Sequence, residues 1–176
     1  NEGTHGSGVF LAHTEQQARQ LVYQMLERDM RPLVQEYIQE SHGQDVRALV
    51  VGGEVVAAMR RKAHGSEFRS NFHLGGSVEP VEISDRIANI ACIAANKLGL
   101  DLAGVDMLES RNGPLVLEVN SSPGLEGIES VVGEGFVAAA VARLLNRRLE
   151  ESREDSETSD STEMTGAGSD ASEIYD

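Results

Sequence analysis

The sequence predicts an α/β chain of the α+β kind, in which antiparallel hairpins alternate with helices. Two observations carry this. Val46 to Val51 and Val55 to Arg61 are apolar runs joined across Gly52-Gly53, and Leu102 to Ser110 and Leu115 to Asn120 are joined across Arg111-Asn112-Gly113-Pro114. Such pairs of runs around glycine or Asn-Gly turns read as β-hairpins. Between them, apolar residues recur at helical spacing, which requires helices packed against the sheet.

The elements follow in order. A glycine-rich loop, Gly3-Thr4-His5-Gly6-Ser7-Gly8, leads into strand-like Val9-Phe10-Leu11. Thr14 caps a helix from Glu15 to about Arg28, with Leu21, Val22, Met25 and Leu26 on one face. Leu33 to Ile38 reads as a strand after Pro32, and the first hairpin comes next. Residues 62–77 are polar and irregular, Val78 to Ile83 is a short strand, and Ser84 caps a helix that Gly99 stops after Lys97. The second hairpin is followed by a sharp loop at Ser121-Ser122-Pro123-Gly124 and a final helix from about Gly135 to Leu149. Beyond Glu150 almost no apolar residues remain, and the segment is expected to be disordered because it buries too little to offset its ordering entropy. Because the glycine loop lacks a strand before it, the chain is expected to be the C-terminal part of a longer protein.

Composition narrows the function. The formal charge is −14 over 176 residues, and ten of the 29 acids against one of the 15 bases lie at 150–176. Binding to nucleic acid through bulk electrostatics is not expected of such a chain. No stretch approaches the roughly 20 apolar residues of a membrane helix. The single cysteine, Cys92, sits in an apolar helical run and reads as a buried structural thiol in a reducing, cytoplasmic setting.

The chemistry concentrates in the second hairpin. Residues two apart on a strand share a face, so Glu118 and Asn120 point the same way, and the turn folds Asp106 back beside them. Three oxygen-bearing side chains among apolar neighbours suit a hard divalent cation such as magnesium, which completes its shell with water and phosphate oxygens. Five bases, Arg47, Arg60, Arg61, Lys62 and Arg69, stand out in an acidic chain and are expected to cage the oxygens of a transferred phosphoryl group. Arg69-Ser70-Asn71 offers three consecutive donors to phosphate. Gly3, Gly6 and Gly8 free backbone N–H groups for an anion, and the loop is neither a Walker A nor a Rossmann motif. Gln35-Glu36-Tyr37-Ile38, with Asp45 after it, could meet an adenine edge and ribose hydroxyls.

In this order the motifs resemble the ATP-grasp superfamily and, within it, the RimK-type glutamate ligases. The similarity runs through Arg47-Ala-Leu-Val-Val-Gly52, Phe68-Arg-Ser-Asn71, Gly104-Val-Asp106 and Gly113-Pro-Leu-Val-Leu-Glu-Val-Asn-Ser-Ser-Pro-Gly-Leu-Glu-Gly-Ile128, and covers about residues 1–149. The resemblance implies an ATP-grasp fold of antiparallel sheets with helices: residues 1–32 as a remnant of the N-terminal lobe, 33–149 as the C-terminal lobe, and 150–176 as the acidic tail. It implies that Glu36, Tyr37, Asp45, Arg69, Ser70 and Asn71 contact ATP. It further implies that Asp106, Glu118 and Asn120 ligate two Mg2+ or Mn2+ ions, and that Arg61, Arg69 and Asn120 serve the reacting groups. The family's phosphate-binding lysine lies on a strand before the glycine loop, outside this chain, so the fragment alone is expected to be impaired. The implied reaction joins L-glutamate to the C-terminus of a small-subunit ribosomal protein through an acyl phosphate. Glutamylation of a cofactor, ligation onto an amino-acid carrier protein, a non-catalytic scaffold and a homo-oligomeric state stay open beside it.

Overall fold

The computed structural model describes residues 8–65, 67–68, 70 and 76–165. Helix α1 (Glu15–Leu26) begins where Thr14 Oγ1 accepts the Gln17 N–H at 3.2 Å, while Gln17 Oε1 accepts the His13 N–H at 2.9 Å. This reciprocal cap satisfies donors that a bare first turn would leave open. The helix ends two residues before the expected Arg28, where Asp29 adopts a left-handed φ of 58°. Leu33 to Ile38 does not form the expected strand. Leu33 and Val34 are exposed, and no described strand offers the segment a ladder of hydrogen bonds.

Five strands form one antiparallel sheet: β1 (Gln44–Val51), β2 (Glu54–Lys62), β3 (Ser77–Pro80), β4 (Leu102–Ser110) and β5 (Gly113–Asn120). Their spatial order is β3-β2-β1-β4-β5, so β1 is central. Gly52 and Gly53 make the β1–β2 turn with φ of 59° and 81°, values that a side chain would resist. The β4–β5 turn is tighter than expected. Ser110 pairs with Gly113, so Arg111-Asn112 alone forms the loop and Pro114 belongs to β5. An edge strand tolerates that proline because its missing N–H removes no shared ladder bond.

The two faces of the sheet have different work. On one, Val46, Ala48 and Val50 of β1 meet Ala103, Val105 and Met107 of β4 beneath helix α2 (Asp85–Lys97), which contributes Ile87, Ala91 and Ala95. Ser84 Oγ accepts the Ile87 N–H at 3.4 Å, and Gly99, at φ 66°, lets Leu100 N–H return to the Ala95 carbonyl at 3.1 Å. Cys92 is partly buried with a free thiol. On the other face lie Leu49, Ala57 and Met59, with the short helix α3 (Glu126–Val132) against β2 and β3. Sequence periodicity did not predict α3, because seven residues hold less than two full helical repeats. Gly127 lets it approach: a Cβ there would stand 2.9 Å from Met59 Sδ.

Contacts divide the chain into two compact units, Asn1–Gly133 and Glu134–Asp176. The second unit holds helix α4 (Phe136–Thr165), in which Val137, Ala140 and Leu144 are buried at helical spacing. The helix runs past Leu149 into the segment expected to be disordered. No Pro or Gly between 136 and 165 interrupts it. Among the described residues, no helix is long and apolar enough to cross a membrane.

Gly104 of β4 carries a constraint of its own. A Cβ there would stand 2.7 Å from Pro123 Cβ, so the loop after β5 rests directly on the strand. Alanine at a strand glycine would otherwise gain about 0.5–1 kcal/mol, but overpacking of this kind costs about 1–3 kcal/mol. Gly104→Ala should therefore lower the urea-unfolding free energy, and an increase would show that Pro123 does not pack there.

Candidate functional site

A row of ionic side chains crosses the face that α3 shares. Asp45 and Arg47, two apart on β1, point the same way, and the antiparallel register sets Arg61 of β2 opposite Asp45 and Asp106 of β4 opposite Arg47. Arg47 grips Asp106 with both arms of its fork, Nε to Oδ1 and Nη2 to Oδ2, each at 2.6 Å. Arg61 Nε donates to Asp45 Oδ1 at 2.7 Å and its Nη2 donates to both Asp45 Oδ2 and Asp106 Oδ2, the latter at 2.7 Å. The Asp106 side chain has no exposed surface, and Arg47 and Arg61 retain 11% and 13%. Each buried carboxylate thus has a cationic, hydrogen-bonded partner, the condition under which such groups are tolerated inside a protein.

On β5 the row continues through a β-bulge. Ser110 pairs with Gly113, and counting back in plain register would set Leu117 against Asp106. The register slips by one between Asp106 and Met107, leaving Leu117 as the extra residue and bringing Glu118 opposite Asp106. Bulges of this kind re-aim side chains. Glu118 hydrogen-bonds Asp106, and Asn120 Nδ2 donates to Glu118 Oε1 at 3.1 Å. The three residues expected to ligate a cation are therefore brought together.

The electrostatics divide the acids. Burial pushes Asp106 up, but the Arg47 hydrogen bond and the charges of Arg61 and Arg47 outweigh it and hold the carboxyl below its ordinary range. Burial raises Asp45, and Arg61 only partly offsets it. Burial also raises Glu118, with the Asp106 hydrogen bond and charge adding to it and the Asn120 bond opposing it. Burial disfavours the charge on Arg61, yet the carboxylates of Asp45 and Asp106 more than compensate and raise it. In the Asp106–Glu118 contact a proton is held more readily by Glu118 than by Asp106. Two carboxyls in contact, with the Asn120 amide on Glu118, supply oxygen donors of the kind a hard cation takes. Among the described residues, no three His, Cys, Asp or Glu side chains stand together as a cage; here the third donor is an amide.

Other expected site residues are placed differently. Arg60 and Lys62 do not join the cage: they alternate with Arg61 along β2 and pair with Glu109 at 2.9 Å and Glu79 at 2.7 Å. Asp45 is buried with both oxygens on Arg61, so it is not open to a ribose as it stands. Ser70 hydrogen-bonds Asp45. Tyr37 meets His42 through its hydroxyl and an edge-on ring contact at 6.2 Å, and Glu36 beside it is exposed. Gly8 has a left-handed φ of 86°. Gly3, Gly6, Arg69 and Asn71 lie outside the described residues. The grip of Arg47 on Asp106 was missed; the signal was Asp45-x-Arg47, an acid and a base on one strand face, but the β1–β4 register that completes it joins residues 59 apart.

Removing one partner of a buried ion pair costs about 3–5 kcal/mol because the other is left uncompensated. Asp106→Asn strips Arg47 of its partner, whereas Asp45→Asn leaves Arg61 bound to Asp106. In urea unfolding at neutral pH without added cation, Asp106→Asn should therefore lose clearly more stability than Asp45→Asn. Equal losses would contradict Asp106 as the hub. The folded-state pKa of Asp106 lies below its unfolded value, so its contribution is present above the ordinary carboxylate pKa and is lost as pH falls through the depressed value.

Comparison with known proteins identifies the family. The RimK-like ATP-grasp domain family matches residues 1–144. A probable alpha-L-glutamate ligase 2 of Pseudoalteromonas atlantica is 53% identical over 140 residues, covering 80% of this chain and 46% of its own. A probable alpha-L-glutamate ligase of Methanococcoides burtonii is 47% identical over 140 residues, with the same two shares. The chain thus spans about half the length of the curated relatives it matches. Among solved structures, the ATP-grasp ligase PsnB, complexed with a phosphomimetic variant of its minimal precursor, Mg and ADP, aligns with a TM-score of 0.52 at 26% identity, over 79% of this chain and 44% of that one. The D-alanine–D-alanine ligase of Bacillus anthracis complexed with ATP shares the fold, with a TM-score of 0.57 at 20% identity over 82% of this chain and 49% of that one. With its buried row of Asp45, Arg61, Asp106 and Arg47 and the Glu118–Asn120 mouth on an antiparallel sheet, the chain belongs to the RimK-like ATP-grasp family.

Proposed function

We propose that the protein to which this chain belongs is an ATP-dependent carboxylate–amine ligase that uses L-glutamate, with the C-terminus of a small-subunit ribosomal protein as acceptor. The observation that carries the reading is the contact of Asp106 with Glu118 and of Glu118 with Asn120, beside two largely buried arginines. The glutamate comes from the printed names of the relatives, probable alpha-L-glutamate ligases. The ribosomal acceptor rests on the resemblance of the Gly113-to-Ile128 string to the RimK type.

In this reading an oxygen of the acceptor's C-terminal carboxylate attacks the γ-phosphorus of ATP, the bond to the β–γ bridging oxygen breaks, and ADP leaves; glutamate supplies the amine of the next step. An amine nitrogen then attacks the acyl carbon of the resulting acyl phosphate, loses a proton and expels inorganic phosphate, leaving an amide. Asp106, Glu118 and Asn120 would hold one or two Mg2+ ions, which supply charge neutralisation at the phosphoryl oxygens. Arg61 stands at the edge of the row, where its guanidinium, fixed by two carboxylates, offers positive charge without having to reorganise during transfer. Asp45 fixes Arg61 from below, and Arg69, Ser70 and Asn71 contribute phosphate donors. Glu36 and Tyr37 meet the adenine, and Gly3, Gly6 and Gly8 the phosphates. No covalent enzyme nucleophile is needed.

The test uses the full-length protein with ATP, Mg2+ and glutamate. With the ribosomal-protein C-terminal peptide present, hydroxylamine in place of glutamate should trap a hydroxamate at the peptide's C-terminal carboxyl in step with ADP release, and ADP release without hydroxamate would sink the acyl-phosphate route. Supplying the ribosomal-protein C-terminal peptide should raise ADP release, whereas indifference to the acceptor would remove that assignment. Glu118→Gln keeps the size of the side chain but removes its charge, and should lower kcat by at least about a hundredfold, as losses of electrostatic stabilisation do. Full activity in Glu118→Gln would exclude the cation site.

A further inference from the structure

A carboxylate has about four acceptor positions, two on each oxygen. On Asp106 three are taken by guanidinium N–H groups: Oδ1 receives Arg47 Nε, and Oδ2 receives both Arg47 Nη2 and Arg61 Nη2. The remaining position serves the Glu118 hydrogen bond, and a cation would take it in place of that bond. The pair is also sealed from solvent, with Asp106 fully buried and Arg47 nearly so, so salt and water screen it little. Glu118 and Asn120, by contrast, are accessible at the mouth of the row.

Charge reinforces the steric point. With Glu118 ionised, Asp45, Asp106 and Glu118 face Arg47 and Arg61, leaving a single net negative charge for a doubly charged ion. Hard cations in water are costly to dehydrate, and magnesium sites that use few carboxylates rely on substrate phosphates to complete them.

We propose that Arg47 is a positioning residue that restricts Asp106 to one-oxygen ligation and keeps the empty site's affinity for divalent cations low, so that a cation is retained only together with nucleotide phosphates. This rests on the Mg-nucleotide reading of the site given above. Its consequence is economy of order: the cation arrives with the nucleotide and leaves with the product, and the site does not trap a free ion between turnovers. A purely structural tie between β1 and β4 would make a different prediction, since weakening it should loosen cation binding along with the fold.

The measurement is Mn2+ binding to the full-length protein, read as loss of the free-ion electron paramagnetic resonance signal, with and without ADP. Wild type should bind nucleotide-free Mn2+ only in the millimolar range and much more tightly with ADP. Arg47→Gln removes a unit charge and frees acceptor positions, and should tighten nucleotide-free binding by about tenfold or more, a modest share of what one nearby charge exerts at a partly screened site. Arg47→Lys keeps the charge and should stay within about threefold of wild type. Micromolar nucleotide-free binding by wild type, or folded Arg47→Gln binding no tighter than wild type, overturns the proposal. Should Arg47→Gln fail to fold, the wild-type affinity and Arg47→Lys decide alone. Absence of Mn2+ binding even with ADP, or no effect of Glu118→Gln on it, would instead overturn the underlying reading of the site.

Discussion

A carboxylate in the middle of a sheet, without any exposed surface, loses several kcal/mol of hydration that its surroundings must replace. Asp106 is that group here, and the replacement comes from two strands at once: Arg47 across one ladder and Arg61 from the next strand over. The rest of the site follows from satisfying it. Arg61 needs a second acid, which Asp45 provides. Asp106 also hydrogen-bonds Glu118, and Glu118 accepts from Asn120. Five charged side chains and one amide are linked through a single buried oxygen pair, and the row fixes four strands relative to one another.

The fold divides labour between the faces of one sheet. The α2 face is filled by small and branched aliphatics, with Ala91, Ala95, Ala48 and Ala103 allowing helix and sheet to approach closely. That packing lets the opposite face give up apolar residues to the ionic row. Leu49, Met59 and Ile128 cover one end of that face. Pro123 rests on Gly104, the residue of β4 paired with Leu49 and beside Asn120 of β5.

Much of this was legible in the sequence because it is local. Both hairpins, the Ser84 and Thr14 caps, the stop at Gly99 and the shared face of Glu118 and Asn120 depend on residues within a few positions of each other. The convergence of Asp106 with Glu118 was also legible, although by a route that omitted the bulge at Leu117, since a bulge leaves no mark in alternation alone. What was not legible is non-local or context-dependent. Which base meets Asp106 is decided by the β1–β4 register, and alternation sends Arg60 and Lys62 away from Arg61 to Glu109 and Glu79. Leu33 to Ile38 has strand composition but no described partner strand. Helix α3 is too short for periodicity, and α4 continues past Leu149 because nothing in its sequence breaks it.

The central claim is that Asp106, Glu118 and Asn120 form a cation site whose buried ligand stays locked by Arg47. The most direct test is a crystal structure of the full-length protein with Mn2+ and a non-hydrolysable ATP analogue, using the anomalous signal of manganese to place the ion. The account predicts a peak at coordination distance, about 2.0–2.3 Å for a hard cation of this size, from one Asp106 oxygen, from Glu118 and from the Asn120 amide oxygen, with the Arg47–Asp106 fork intact. A peak elsewhere, or Asp106 released from Arg47 and binding through both oxygens, would contradict it.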